Sequence, residues 1–216
     1  MENRRFKVDG EEATGSALQA SNVITYRNEI YFYDEVTDKT IFDLRKCFIA
    51  AKEWIESDEA EEDEDCVVLY INSYGGEYLA GLAGYSFIKN FPHPVFSVIE
   101  GGAASAATFL YVAAEKKFMY KDSFILIHQL SKEMAGKFTD MVDDLHSSEK
   151  YMEKMKELYL DNTKINNKKL EELMRRDVWL TYEEAEKLGL VDGYYDTFVE
   201  NKKKKSAKTS RPSKKK

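Results

Sequence analysis

Three residue types that acyl transfer needs occur here at positions from which a sheet edge could gather them: Ser105, His128 and Asp177. Ser105 lies in the run GGAASAA at 101–107, flanked on each side by alanines, where no bulky neighbour obstructs its hydroxyl. The same setting suits tight packing at a helix start, and the residue types alone leave both readings open. Of the three histidines, His93 lies between Pro92 and Pro94 and reads as a surface loop residue. His146 falls one position off the apolar stripe of a long helical segment. His128 closes the apolar run FILIH, and a histidine at a strand end can take a serine proton because neutral imidazole is available near pH 7. A third group would have to orient the imidazole. Asp177, beside Val178-Trp179-Leu180, is a candidate, but spacing does not select it over Asp161 or Asp192.

A second glycine-containing segment, NSYGG at 72–76, also follows an apolar run. In an open α/β sheet, sites form beyond the carboxyl ends of strands, where helix N-termini offer unpaired N–H groups. Glycine at such a turn permits positive φ and close approach of a ligand to the backbone. Neither glycine segment matches a phosphate loop or the GxGxxG fingerprint, and no GxSxG elbow is present.

The elements that must position these groups can be read from periodicity. Residues 23–34 (VITYRNEIYFYD) are rich in β-branched and aromatic types and predict strands or a hairpin around Arg27-Asn28. From Asp38 the apolar residues Ile41, Leu44, Phe48, Ala51 and Ile55 recur every three or four positions, an amphipathic helix. It runs into residues 56–65, eight of which are acidic, so an exposed loop or fraying helix end follows. Short apolar runs at 66–72, 95–99, 117–120 and 124–127 read as buried strands, with helices expected over 78–90 and 103–114. Residues 138–160 predict a long helix with Phe138, Met141, Val142, Leu145, Met152, Met155 and Tyr159 on one side. Two short helices close the pattern. The second is signalled by Thr181 with Glu184 three residues on, and by Gly189 at its end. This alternation predicts an α/β domain over 23–198 with a mainly parallel sheet, preceded by a loose leader at 1–22.

Composition narrows the classes further. The 216 residues suit one domain with extensions, and 43% hydrophobic content suffices for a packed core. No apolar run is long enough to span a bilayer, and the first residues show no secretory apolar stretch. Two cysteines, Cys47 and Cys66, make no disulfide framework or cysteine zinc site, so a reducing, cytoplasmic setting is expected. No metal or organic cofactor is implied. The net charge of −7 hides an asymmetry: residues 202–216 carry nine basic side chains and no acidic one, leaving 23 basic against 39 acidic residues before them. So acidic a body repels phosphates, which restricts nucleic acid to weak contact through the tail at 199–216, expected to be disordered.

Five segments together resemble a known family: INSYGG at 71–76, GGAAS at 101–105, IHQ at 127–129, RDVWLT at 176–181 and EAEKLGLVD at 184–192. In this order they are similar to the proteolytic subunit of the Clp protease, ClpP, over roughly residues 24–196. The resemblance implies the ClpP/crotonase fold of stacked βαβ units with a protruding helical handle, to which 138–160 corresponds. It implies a serine endopeptidase acting on polypeptides inside a homo-oligomeric ring, with a Ser-His-Asp triad at Ser105, His128 and Asp177. Backbone N–H groups of Gly76 and Ala106 would form the oxyanion hole, each contributing roughly 3 kcal/mol by comparison with other hydrolases.

The resemblance also implies docking of a Clp-type ATPase in an apolar pocket. Val68, Tyr70, Val98 and Phe118 suit that pocket; Asn90 and Glu100 do not, because a carboxylate facing an apolar anchor loses hydration. Residues 1–23 match no axial loop of the family. Tyr74 stands where the family has proline, Gly102 where it has glutamine, and Leu130 where proline follows the IHQ segment. Two other readings fit the same superfold: a crotonase-like acyl-CoA enzyme, which would need acidic catalysts, and a ring-forming subunit without catalysis.

Overall fold

A computed structural model describes residues 21–61 and 64–196. The expected leader, apart from Ser21 and Asn22, and the basic tail lie outside these residues. Strands β1 (Val23–Tyr26) and β2 (Glu29–Phe32) form the hairpin predicted around Arg27-Asn28. Helix α1 (Asp38–Ile55) follows, started by a capping box in which Thr37 and Thr40 bond each other's backbone. Then come β3 (Val67–Ser73), α2 (Tyr78–Lys89), β4 (Val95–Ala104), α3 (Ala107–Ala113), β5 (Lys116–Met119) and β6 (Phe124–Leu126). The chain continues with α4 (Phe138–Asn162), α5 (Asn167–Met174), β7 (Leu180–Thr181), α6 (Tyr182–Lys187) and β8 (Gly193–Tyr194).

The eight strands form one sheet whose main path is β1-β2-β3-β4-β5-β8, parallel along that path except at the first hairpin. β4 is long enough to serve two neighbours. Its first half pairs with β5 and its last three residues, Gly102 to Ala104, pair with β6, to which β7 adds antiparallel. This corrects one expectation from sequence. Gly101 and Gly102 do not make a turn, and the helix does not begin at Ala103; the strand runs through both glycines because β6 offers it a second ladder. The helix starts at Ala107.

Alternation along the strands sends side chains to two unequal cores. Val67, Leu69, Ile71 and Ile99 join Ile41, Leu44, Phe48, Phe109 and Leu110 in the main core under the helices. Val68, Tyr70 and Val98 point the other way, into a smaller cluster with Tyr31, Phe96, Phe118, Tyr120 and Tyr195. The long helix α4 divides its apolar stripe. Met155, Leu158 and Tyr159 are buried in the main core, whereas Phe138, Met141 and Leu145 in the first turns are exposed. Among the described residues, no helix is long and apolar enough to cross a membrane.

Candidate active site

Ser105 occupies the junction between β4 and α3 with φ +52°, one of two non-glycine residues in the left-handed region among those described. Such backbone is unfavourable for a side-chain-bearing residue and persists where the surroundings fix it. Here the bonds on both sides are visible. The Ser105 N–H donates to the Leu126 carbonyl of β6 at 3.1 Å. The Ser105 carbonyl accepts from the Thr108 N–H at 2.9 Å and from Thr108 Oγ1 at 2.6 Å. Thr108 Oγ1 in turn lies 2.5 Å from Tyr159 Oη, so the serine turn is tied into α4 through two fully buried side chains. Thr108 was not singled out from sequence; its hydroxyl bonds back to a carbonyl three residues earlier, a contact that residue type alone does not announce.

The ladder between β4 and β6 sets the position of His128. Ala104 pairs with Leu126, so Ser105 and the end of the FILIH run leave neighbouring strands at the same level. His128 is half-buried. The next residue is anchored: Gln129 N–H donates to the Met174 carbonyl at the end of α5, at 2.9 Å. Three residues beyond Met174 comes Asp177, and three further on the chain is fixed again where β7 pairs with β6. The Asp177 loop is therefore held at both ends beside His128. Asp177 Oδ1 lies 4.0 Å from His128 Nδ1. Of the two rival carboxylates, Asp192 is engaged elsewhere, accepting from the Lys117 N–H and pairing with its ammonium at 3.2 Å. Asp161 is exposed near the end of α4.

The glycine turn after β3 covers the serine from the other side. A Cβ on Gly75 (φ +96°) would fall 2.7 Å from Ser105 Cβ and 3.0 Å from the Ala106 nitrogen. Only glycine lets this turn lie against the serine. Gly76 (φ +151°) faces the opposite strand: a Cβ there would fall 2.3 Å from the Val36 carbonyl. The flanking residues hold that bridge, with Val36 N–H donating to the Gly75 carbonyl at 2.8 Å and Glu77 N–H donating to the Val36 carbonyl at 2.7 Å. Among the described residues, neither the Gly76 N–H nor the Ala106 N–H donates a hydrogen bond within the protein. Sequence singles out Gly75 only as part of the NSYGG segment and Val36 not at all, because the bridge that holds this turn joins segments about 40 residues apart.

Beside this centre is a cavity of about 460 Å³ lined by Asn72, Ser73, Tyr74, Gly101, Gly102, Phe124 and Trp179. At the same carboxyl end of the strands, the Tyr33 hydroxyl donates to the carboxylate of Glu100, the residue before Gly101. Burial, reinforced by that carboxylate, holds the Tyr33 phenol well above its ordinary pKa. Among the described residues, no group of three or more His, Cys, Asp or Glu side chains is placed to hold a metal ion.

The architecture, with its mainly parallel sheet, two-partner strand β4 and projecting helix, is that of a ClpP-like α/β protein. It superposes on a point mutant of ClpP1 from Listeria monocytogenes with a TM-score of 0.67 at 24% identity, covering 78% of this chain and 91% of that one. The family model for Clp protease matches residues 13–197. The ATP-dependent Clp protease proteolytic subunit 1 of Chlamydia abortus is 33% identical over 175 residues, 78% of this chain and 86% of that protein. Its counterpart in Chlamydia caviae is likewise 33% identical over 175 residues, 78% of this chain and 87% of its own length. The chain belongs to the Clp protease family.

Proposed function

We propose that this chain is a serine endopeptidase that cleaves polypeptides through Ser105, His128 and Asp177. The observation that carries this reading is the strained Ser105 at φ +52° with the Gly75 turn packed against it; among the described residues no protein acceptor uses the nearby Gly76 and Ala106 N–H groups. His128 removes the hydroxyl proton as Oγ bonds to the scissile carbonyl carbon, and the carbonyl electrons move onto oxygen. The N–H groups of Gly76 and Ala106 receive that oxyanion. Collapse expels the amine, which takes the proton back from His128 as the C–N bond breaks. Water then repeats the sequence on the acyl-serine, returning the free enzyme and the new carboxylate. Asp177, on the Nδ1 side, favours the tautomer whose Nε2 faces the serine and stabilises the imidazolium.

The exposed Phe138, Met141 and Leu145 of α4 support assembly into a homo-oligomeric ring, since three large apolar side chains along one helix invite burial against another copy. For a Clp-type ATPase the support is mixed. Val68, Tyr70, Val98 and Phe118 do gather in one cluster, but Glu100 at its margin is a hydrogen-bonded carboxylate rather than an apolar wall.

The test is labelling with a fluorophosphonate followed by peptide mapping. The label is expected on Ser105, and Ser105→Ala should abolish both labelling and peptide cleavage. Loss of a triad nucleophile costs several orders of magnitude elsewhere, so a variant within about tenfold of wild type would refute the assignment.

A further inference from the structure

We propose that the cavity walled by Tyr74 and Trp179 is a specificity pocket for a large apolar side chain of the substrate, on the leaving-group side of the scissile bond. This rests on the serine-peptidase reading and adds a substrate preference to it. The walls come from three segments that also build the reaction centre. Asn72, Ser73 and Tyr74 lead into the glycine turn that covers Ser105. Gly101 and Gly102 belong to the strand that ends one residue before Ser105. Trp179 follows Asp177 by two residues.

The lining is aromatic and unfilled. Tyr74 is 85% exposed and meets Trp179 edge to face, with ring centroids 5.9 Å apart; Phe124 and Trp179 are also exposed. A cluster of exposed aromatic residues around a cavity of this size calls for an occupant. Gly102 keeps it open. A Cβ at that position would lie 3.3 Å from Trp179 Cζ3, so any longer side chain would project into the space. Gly102 is also fixed, its N–H donating to Asn72 Oδ1 at 3.2 Å. Both Tyr74 and Gly102 are positions where this chain departs from the family's proline and glutamine.

Distance sets the register. Gly102 precedes Ser105 by three strand residues, about 10 Å at ~3.3 Å per residue. An extended substrate covers that distance in two to three residues, so the side chain admitted is the second or third from the scissile bond. Trp179 shares a loop with Asp177, which orients the histidine that protonates the departing amine; this puts the pocket on the amine's side.

The experiment profiles the cleavage products of a mixed peptide library by mass spectrometry for wild type, Gly102→Leu and Trp179→Leu. Wild type is expected to show aromatic residues or leucine enriched at least fivefold at the second or third position after the cut. Gly102→Leu, which fills the cavity, should reduce that enrichment below twofold, read as the ratio of large to small residues at that position within one digest. Trp179→Leu removes a wall and should weaken the same preference if Gly102→Leu does not fold. An unchanged profile in a folded variant, or no wild-type preference at these positions, overturns the proposal. Absence of both cleavage and fluorophosphonate labelling would instead refute the peptidase reading. The cavity is then judged on its own by Trp179 fluorescence in a Trp54→Phe background. A fivefold tighter response to a Phe-containing than to an Ala-containing peptide supports it. A signal that follows protein concentration and ignores peptide overturns it in favour of a second copy of this chain.

Discussion

Asp177 Oδ1 stands 4.0 Å from His128 Nδ1, with 82% of the Asp177 side chain exposed. That separation exceeds a hydrogen bond, and water competes for a carboxylate so open to solvent. Among the described residues, Ser105 and His128 are not hydrogen-bonded to each other either. The single chain thus brings the three groups onto adjoining segments without closing the contacts between them.

If Asp177 is the orienting group, Asp177→Ala should lower kcat by roughly 10⁴-fold, as when the carboxylate of other Ser-His-Asp triads is lost. Steady-state kinetics on a peptide substrate measures this. Activity within threefold of wild type would show that another group orients His128.

Gly75→Ala places a methyl 2.6 Å from the Ala104 carbonyl and 2.7 Å from Ser105 Cβ, at a φ of +96°. Forcing an L residue into sparsely populated backbone costs ~1–3 kcal/mol, and at this chain length each kcal/mol lowers Tm by about 2–4 °C. We expect a Tm drop of several degrees together with a kcat at least ~10²-fold lower, because the serine and the Ala106 N–H are displaced. Calorimetry and kinetics on the same sample check both; an unchanged kcat would separate the glycine turn from the chemistry.

Thr108→Val keeps the shape of the side chain but removes the hydroxyl that Ser105 and Tyr159 share. The Tyr159 hydroxyl, fully buried, loses its partner, and an unsatisfied buried polar group costs ~1–3 kcal/mol. Denaturant titration should show that loss, and kcat should fall as the Ser105 turn loosens. Unchanged stability would mean that Tyr159 finds another acceptor.

Glu100, hydrogen-bonded to Tyr33 at the margin of the small cluster, should make a bacterial Clp ATPase a poor activator of this chain. Burying an apolar anchor contributes roughly 1.5–3 kcal/mol, which a neighbouring carboxylate that must stay hydrated erodes. Glu100→Met is expected to strengthen binding and protein degradation at least fivefold in a pull-down and degradation assay. Full activation of the unmodified chain would contradict this view of Glu100.

Much of this arrangement was legible in the chain itself, for identifiable reasons. The helix over Asp38–Ile55 and the helix capped by Thr181 are local events, written in a 3.6-residue period and a capping box that need no partner. The hairpin at Arg27-Asn28 is local too. The extent of β4 was not, because whether Gly101 and Gly102 turn or extend depends on β6 arriving alongside from about 20 residues away. The same holds at the site. Ser105 and His128 stood out by residue type and by the runs they terminate, whereas the choice of Asp177 over Asp192 required knowing that Asp192 is bound to Lys117. That α4 buries Met155 and Tyr159 yet exposes Phe138 and Leu145 was also hidden, since a continuous stripe does not say where the domain beneath it stops.

The two thiols give the fold a kinetic reporter. Cys47 is buried between α1 and the first hairpin, its Sγ 3.8 Å from the Val23 carbonyl, and burial raises its pKa. Cys66 is buried at the entrance to β3, beneath the smaller cluster. A thiol reacts as its thiolate and only when a reagent can reach it, so both are silent in the closed protein. Each samples a different opening. Cys47 becomes reactive when the helix lifts from the hairpin, and Cys66 when the tyrosine-lined face of the sheet separates. Their alkylation rates under native conditions therefore record two local unfolding equilibria independently, one on each side of the same sheet.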